Sequence, residues 1–409
     1  MACRGNGMTT SWVPVPDGSP FPLQNLPYGV FSRLPADGGQ PRVGVAIGEH
    51  VLDLAPVLRD AIFAAGSLNG FMARGREAWQ ATRQEVTRLL SDPARRDAVG
   101  PHLVPAGAVR MHLPFEVADY VDFYSSEQHA ANVGRIFRPG SPPLHANWKH
   151  LPVGYHGRAG TVVVSGTPVL RPCGQRKGPG DPAPVYGPCR ELDIEAEVGF
   201  VIGTGSAAGL PVSPDAIEDH VFGVVLVNDW SARDIQRWET VPLGPFLAKS
   251  FATSVSPWVV PLEALAHARV RPPAQDPPPL PYLRARDPWG LDLALEVACN
   301  GTVVARPPFA GMYWTPAQQL AHMTVNGAAL RTGDLFASGT VSGPERGQRG
   351  CFLELSWGGT EPVILADGSS RTFLSDGDTV TIRATAPGAD GTRIGFGEVS
   401  GTVKPAAAA

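Results

Sequence analysis

Cysteine is scarce in this chain: five thiols (Cys3, Cys173, Cys189, Cys299 and Cys351) are scattered through 409 residues. They form no Cys-x-x-Cys pair and no Cys/His cluster with zinc spacing. That argues against a disulfide-stapled secreted fold and a thiolate metal site, and fits the reduced thiols of an intracellular protein. Long apolar runs are also missing; none approaches the roughly 20 residues of a membrane span. Residues 1–10, MACRGNGMTT, lack both an apolar signal core and an Arg-rich amphipathic pattern, and read as a loose leader. Charge of either sign is not in excess. A net charge of −4 gives no reason to expect a nucleic-acid or anionic-membrane partner. No Rossmann-type or P-loop signature is present, so no organic cofactor is expected. The default location is the cytoplasm.

What the chain has in abundance is Gly (47) and Pro (42), interleaved with apolar runs, which predicts a mainly β architecture with few helices and argues against disorder. The N-terminal third holds short strand-like runs with tight turns (Val30–Ser32, Arg42–Ile47, Val51–Leu54), the pattern of a small barrel. A helix is predicted between Gly75 and Ser91 from Trp79, Val86, Leu89 and Leu90. We read residues 1–115 as a supporting domain and 116–409 as a second domain of short strands. There Thr161–Ser165 and Val224–Asp229 are strand-like, and Ser213-Pro214 begins a short helix. Thr315-Pro316-Ala317-Gln318 carries the N-cap, N1 proline and capping-box glutamine of a helix that stops at Asn326-Gly327.

The chemistry centres on Arg190–Phe200. Leu192, Ile194, Ala196, Val198 and Phe200 alternate with Asp193, Glu195 and Glu197, as in a half-buried strand. Glu195 and Glu197 then share a face, and a hard divalent cation would compensate their repulsion. The alternative is a solvated edge strand. Asp122 and Asp229 are two further candidates from separate segments. Asp229 ends the run VVLVND; it could instead cap the helix predicted from Trp230, as could Ser231. An all-oxygen site suits Mg²⁺ or Ca²⁺. On the helix after Asp229, Arg233 and Gln236 share a face, suited either to a substrate oxyanion or to a surface ion pair. Lys249 lies in an apolar stretch, where an ammonium needs a partner. His129 is either a structural histidine or the partner of Glu354, which sits in a text (CFLELSW) read as a buried strand. A His–Glu pair would make a general base for water.

Nine segments in order, among them DFYSSEQHAANVG, LDIEAEVGF, FGVVLVNDWSARDIQRWE, VPLGPFLAKSFATSVSPWVVP, ASGTVSGPE and LELSWGGT, closely resemble the fumarylacetoacetate hydrolase family; FPLQNLPYGVFS extends the match towards the N-terminus. The resemblance implies an SH3-like N-terminal barrel, a C-terminal β-roll bearing the active site, and a homodimer. It implies hydrolysis of a diketo acid, 4-fumarylacetoacetate, to fumarate and acetoacetate, the last step of tyrosine and phenylalanine breakdown. By family role, Asp122, Glu195, Glu197 and Asp229 hold the catalytic ion, with a second ion near Asp229, Lys249 and Thr253. His129 activates water with Glu354, and Arg233, Gln236 and Lys249 stabilise charge on oxygen. Tyr124, Arg138, Tyr155, Gln236 and Thr340 contact substrate.

Two positions depart from the family's pattern. Thr240 stands where a substrate-reaching tyrosine is usual, and Ala252 replaces a glycine beside the second-ion site. Two rival functions remain: a relative acting on another acylpyruvate or 2-oxo acid, and a non-enzymatic scaffold binding structural Ca²⁺.

Overall fold

The computed structural model describes residues 10–35, 39–178 and 180–407; the proposed leader, apart from Thr10, and Cys3 lie outside the described residues. The N-terminal strands are β1 (Tyr28–Arg33), β2 (Arg42–Ile47), β3 (His50–Asp53), β4 (Leu103–Pro105) and β5 (Val109–His112), with helix α1 (Arg76–Ser91) between β3 and β4. The predicted helix is thus present, starting directly after Gly75 and burying Trp79, Val86, Leu89 and Leu90. Further on come β6 (Tyr120–Phe123), α2 (Glu127–Phe137), β7 (Gly154–His156), β8 (Val162–Val164), β9 (Ala196–Ile202), β10 (Val221–Asp229), α3 (Arg233–Glu239), β11 (Thr253–Val255) and β12 (Trp258–Pro261). The chain then runs through β13 (Ala294–Cys299), β14 (Thr302–Ala305), α4 (Pro316–Thr324), β15 (Leu335–Ala337), α5 (Phe352–Leu355), β16 (Thr379–Pro387) and β17 (Arg393–Lys404). Helix α4 carries the predicted capping box, with Thr315 and Gln318 bonded reciprocally. Among the described residues no helix is long and apolar enough to cross a membrane.

One 13-stranded sheet runs in the order β4-β3-β2-β1-β12-β10-β9-β15-β6-β7, with β5 beside β1 and β11 joining β10 to β8. The contacts β15/β6 and β11/β8 are parallel. A five-stranded sheet, β14-β13-β16-β17 plus Val169–Leu170, packs the rest of the core.

The central strands are buried on both faces. Ala196, Val198, Phe200 and Ile202 of β9 enter one apolar core, while Val201 enters the other with Tyr120, Val225 and Val227. Residues two apart share a face, so Glu197, Asp122 and Asp229 all belong to this second face, at the end of three strands close together in the sheet. The Arg190–Phe200 segment is therefore not a half-buried strand. Its alternation separates two buried environments, one apolar and one charged. Nor is it continuous: Leu192–Asp193 pairs with Ser231–Ala232, and the chain breaks at Ile194–Glu195 before β9 begins.

Candidate active site

Ligand oxygens of Asp122, Glu195, Glu197 and Asp229 all lie within 4.8 Å of one another, and all four residues are buried. The two readings of Asp229 and Ser231 as helix caps fail. Helix α3 starts at Arg233, later than expected, and its N-cap Ala232 makes no side-chain bond. Asp229 is instead held from three sides. Thr253 Oγ1 donates to Oδ1 at 2.9 Å; Lys249 Nζ and the Tyr155 hydroxyl donate to Oδ2 at 3.0 and 3.1 Å. Lys249 also reaches Glu195 Oε2 at 2.5 Å. Arg233 is buried, so the surface reading is wrong for it. Its Nη1 meets Glu195 Oε1 at 2.8 Å and Gln236 Oε1 at 3.0 Å, while Nε bonds Asp193 at 2.9 Å.

The electrostatics are unequal. Burial alone would raise every carboxyl here. At Glu195, Lys249, Arg233 and His129 overcome it and hold the group well below the usual carboxylate range. Burial and the neighbouring carboxylates push Glu197, Asp122 and Asp229 up, with Lys249 only partly offsetting this. Both oxygens of Glu197 and Oδ1 of Asp122 are buried with no hydrogen-bond partner among the described residues. Orphaned buried acceptors are costly. A hard divalent cation is the partner such a set fits, because every potential ligand is an oxygen. Lys249 meets the cluster through its ammonium, so its side chain brings charge rather than a ligand atom.

Beside this cluster lies His129, on α2 just inside the Ser126 N-cap. Its Nδ1 is 2.6 Å from Glu354 Oε2, and Nε2 is 4.0 Å from Glu195 Oε1. Glu354 is on the short helix α5, not on a strand. Four apolar neighbours hid the difference, since a short buried helix and a short buried strand read alike. The Glu354 carboxylate also accepts from Asn132 at 2.8 Å, Ser342 at 2.7 Å and the Cys351 thiol at 3.2 Å. Burial opposes its charge, but these donors, His129 first, bring its pKa down to about 2. An ionised Glu354 accepts a hydrogen bond from Nδ1–H and leaves Nε2 turned towards the carboxylate cluster.

Sequence reasoning passed over Asp193, Ser342 and Cys351, and used Asn132 only as a landmark. Asp193 accepts from the backbone N–H groups of Phe352 and Leu353 at 2.7 and 2.9 Å, as well as from Arg233, and so ties the Glu354 helix to the guanidinium. Its place in the Glu195/Glu197 alternation was the available signal. Asn132 is the side-chain donor to Glu354 Oε1. Asn132→Ala is expected to lower folding stability by about 1–3 kcal/mol, seen as a drop in the urea midpoint at constant slope.

The other predicted residues divide. Tyr155 and Thr253 join the cluster as above. Tyr124 stacks edge-on against the His129 ring at 5.1 Å. Among the described residues the buried Thr340 hydroxyl and Arg233 Nη2 have no hydrogen-bond partner. Next to Thr340, Gly339 has φ +75° and a Cβ there would sit 2.2 Å from the Phe123 carbonyl, so only glycine lets this loop pass β6. Arg138 is not drawn into the cluster; it donates to the Pro143 carbonyl at 3.1 Å. Thr240 folds back onto the Gln236 carbonyl at 2.6 Å, closing the end of α3. Ala252 is buried. A cavity of about 190 Å³ bordered by Tyr155, Arg158, Phe246 and Lys249 opens beside the cluster.

Comparison with known proteins is consistent across the chain. The sequence profile described as fumarylacetoacetate (FAA) hydrolase C-terminal matches residues 119–404, and that of the fumarylacetoacetase N-terminal matches residues 24–114. Fumarylacetoacetase of Homo sapiens is 49% identical over 417 residues, covering 97% of this chain and 99% of that protein. The Arabidopsis thaliana fumarylacetoacetase is 45% identical, covering 97% and 98%. The solved fumarylacetoacetate hydrolase of Exiguobacterium antarcticum aligns over 93% of this chain and 99% of its own, with TM-score 0.56 at 17% identity, a likeness of fold.

Proposed function

This chain belongs to the fumarylacetoacetate hydrolase family, and from that we propose that it is a hydrolase cleaving the C–C bond of 4-fumarylacetoacetate to give fumarate and acetoacetate, the closing step of tyrosine and phenylalanine breakdown. The observation that carries the reading is the pairing of orphaned Glu197 and Asp122 oxygens with a His129–Glu354 dyad in one buried site.

Asp122, Glu195, Glu197 and Asp229 would hold a divalent ion, Mg²⁺ or Ca²⁺, with a second ion near Asp229, Lys249 and Thr253. Such an ion supplies Lewis-acid stabilisation of charge on the diketone oxygens. The side chains do the rest. His129 Nε2 takes a proton from water, and the hydroxide adds to the carbonyl carbon. Arg233, with Nη2 free, and Lys249 stabilise the oxygen on which negative charge grows. Asp229 and Glu195 more than offset the effect of burial on the Lys249 ammonium and keep it protonated. As the C–C bond breaks, its electron pair passes to the departing carbon, and the His129 proton neutralises it. Tyr124, Arg138, Tyr155, Gln236 and Thr340 are proposed to position the substrate.

The same reading assigns residues 1–115 to an SH3-like supporting domain and 116–409 to a catalytic β-roll, supported by the two profile matches meeting between residues 114 and 119. It includes a cytoplasmic homodimer. The loop after α3 supports the dimer, because Val241 is 84% and Leu243 97% exposed, with Phe246 also open to solvent. Leu243→Asp is expected to shift the sedimentation coefficient from dimer to monomer.

Loss of diketone absorbance with 4-fumarylacetoacetate and with a smaller acylpyruvate tests the substrate. The proposal expects 4-fumarylacetoacetate to be preferred in kcat/KM; preference for the smaller compound would move the chain to another activity within the family.

A further inference from the structure

Far from the carboxylate cluster, α1 packs across the start of β10 and the end of β12. A cavity of about 220 Å³ lies in this seam. That is below the ~300–1,000 Å³ of drug-sized sites and limits an occupant to a compound of amino-acid size. Its wall is aromatic: the Trp79 and Phe222 rings meet edge-on at 5.3 Å, and Tyr28 lies 5.4 Å from Phe222.

The charges around it fall into two groups. Arg76 pairs with Glu218 at 2.5 Å and Asp219 at 3.0 Å, and Arg269 pairs with Glu218 at 2.6 Å, so these are mutually compensated. Arg83 and Glu263 make no such close pair, although the Glu263 charge is near enough to favour the Arg83 guanidinium. Arg83 donates to two backbone carbonyls, those of Asn25 and Gln24, both at 2.6 Å. No carboxylate lies within ion-pair distance of it among the described residues, and burial works against its charge. Glu263 lines the same cavity, is exposed, and has no ion-pair partner among the described residues. The Tyr28 hydroxyl lies within the fields of both charges.

We propose that this seam is a second ligand site that takes a small zwitterion with an apolar side chain, an α-amino acid: its carboxylate on Arg83, its ammonium towards Glu263, and its side chain against Trp79 and Phe222. A guanidinium is the best side-chain partner for a carboxylate, and a carboxylate–ammonium pair across a partly closed cavity is stronger than one at an open surface. The site is independent of the reaction.

Isothermal titration with L-phenylalanine, hydrocinnamate (carboxylate alone) and phenethylamine (ammonium alone) tests it on the full chain. L-phenylalanine is expected to bind at least about tenfold more tightly than either single-charge probe. Glu263→Gln, at an exposed position, is expected to reduce L-phenylalanine to the affinity of hydrocinnamate; Arg83→Gln is expected to abolish binding of both. Absence of binding heat with L-phenylalanine at about 10 mM, or unchanged affinity in Glu263→Gln, would overturn the proposal.

Discussion

Replacing His129 by alanine is expected to lower kcat for 4-fumarylacetoacetate by about 10²–10⁴-fold, with little change in KM. The imidazole is placed between the Glu354 carboxylate and the four-carboxylate cluster, with Nδ1 turned to Glu354 and Nε2 turned to Glu195. Glu354→Gln is expected to approach the same loss by a different route. Each contact of Glu354 comes from a donor: the His129 Nδ1–H, Asn132, Ser342 and Cys351. An amide there puts N–H against N–H in a fully buried pocket or turns the imidazole to the wrong tautomer. The urea midpoint and circular dichroism distinguish this from misfolding, because a folded Glu354→Gln enzyme keeps the wild-type spectrum and a cooperative transition while its rate is lost. Near-wild-type kcat in either variant would remove the dyad from the reaction.

The second large effect concerns Glu197. Among the described residues both its oxygens lack a hydrogen-bond donor, and burial and the charges of Asp122, Glu195 and Asp229 push its pKa well up. Glu197→Gln is therefore expected to stabilise the ion-free protein near neutral pH, by on the order of 1 kcal/mol. The same substitution is expected to abolish the gain from added Mg²⁺ or Ca²⁺, which in the wild type reaches about 2.7 kcal/mol at a hundredfold excess over Kd. The sign with pH follows from the raised values of Glu197, Asp122 and Asp229. A carboxyl whose folded pKa lies above its unfolded one holds a proton that the unfolded chain releases. Its stabilising contribution is complete below about pH 4 and is lost as pH rises through the folded value. Ion-free protein should thus weaken from about pH 4 upward, and the divalent ion should restore stability increasingly over the same range. Thermal melts of wild type and Glu197→Gln, with chelator and with ion, measure all of this. A lower melting temperature for ion-free Glu197→Gln would contradict it.

Much of the site was legible from one dimension, for physical reasons. The alternation through Glu195 and Glu197, the carboxylate closing the apolar run at Asp229, and the lysine in an apolar stretch at Lys249 are all arrangements that cost stability unless something compensates them. What failed were readings that depend on neighbours distant in sequence. The alternation looked half-exposed because nothing in the strand itself reveals a second core packed on its charged face, the one holding Tyr120, Val225 and Val227. Glu354 looked like a strand residue because its helix is only Phe352–Leu355, and Asp193, contributed from 159 residues away, supplies that helix's N-terminal acceptor. Cys351 looked like an ordinary thiol, and only the fold sets its sulfur 3.2 Å from Glu354. The side-chain contacts join Asp122, Glu195, Glu197, Asp229, Lys249 and Thr253 in one cluster and leave Arg138 outside it.

The most direct measurement is turnover of 4-fumarylacetoacetate, followed by loss of its diketone absorbance, in protein stripped by chelator and then titrated with Mg²⁺ or Ca²⁺. The carboxylate cluster predicts that activity falls to background on stripping and returns in saturable fashion with either ion. Full activity in demonstrably ion-free protein would contradict the account.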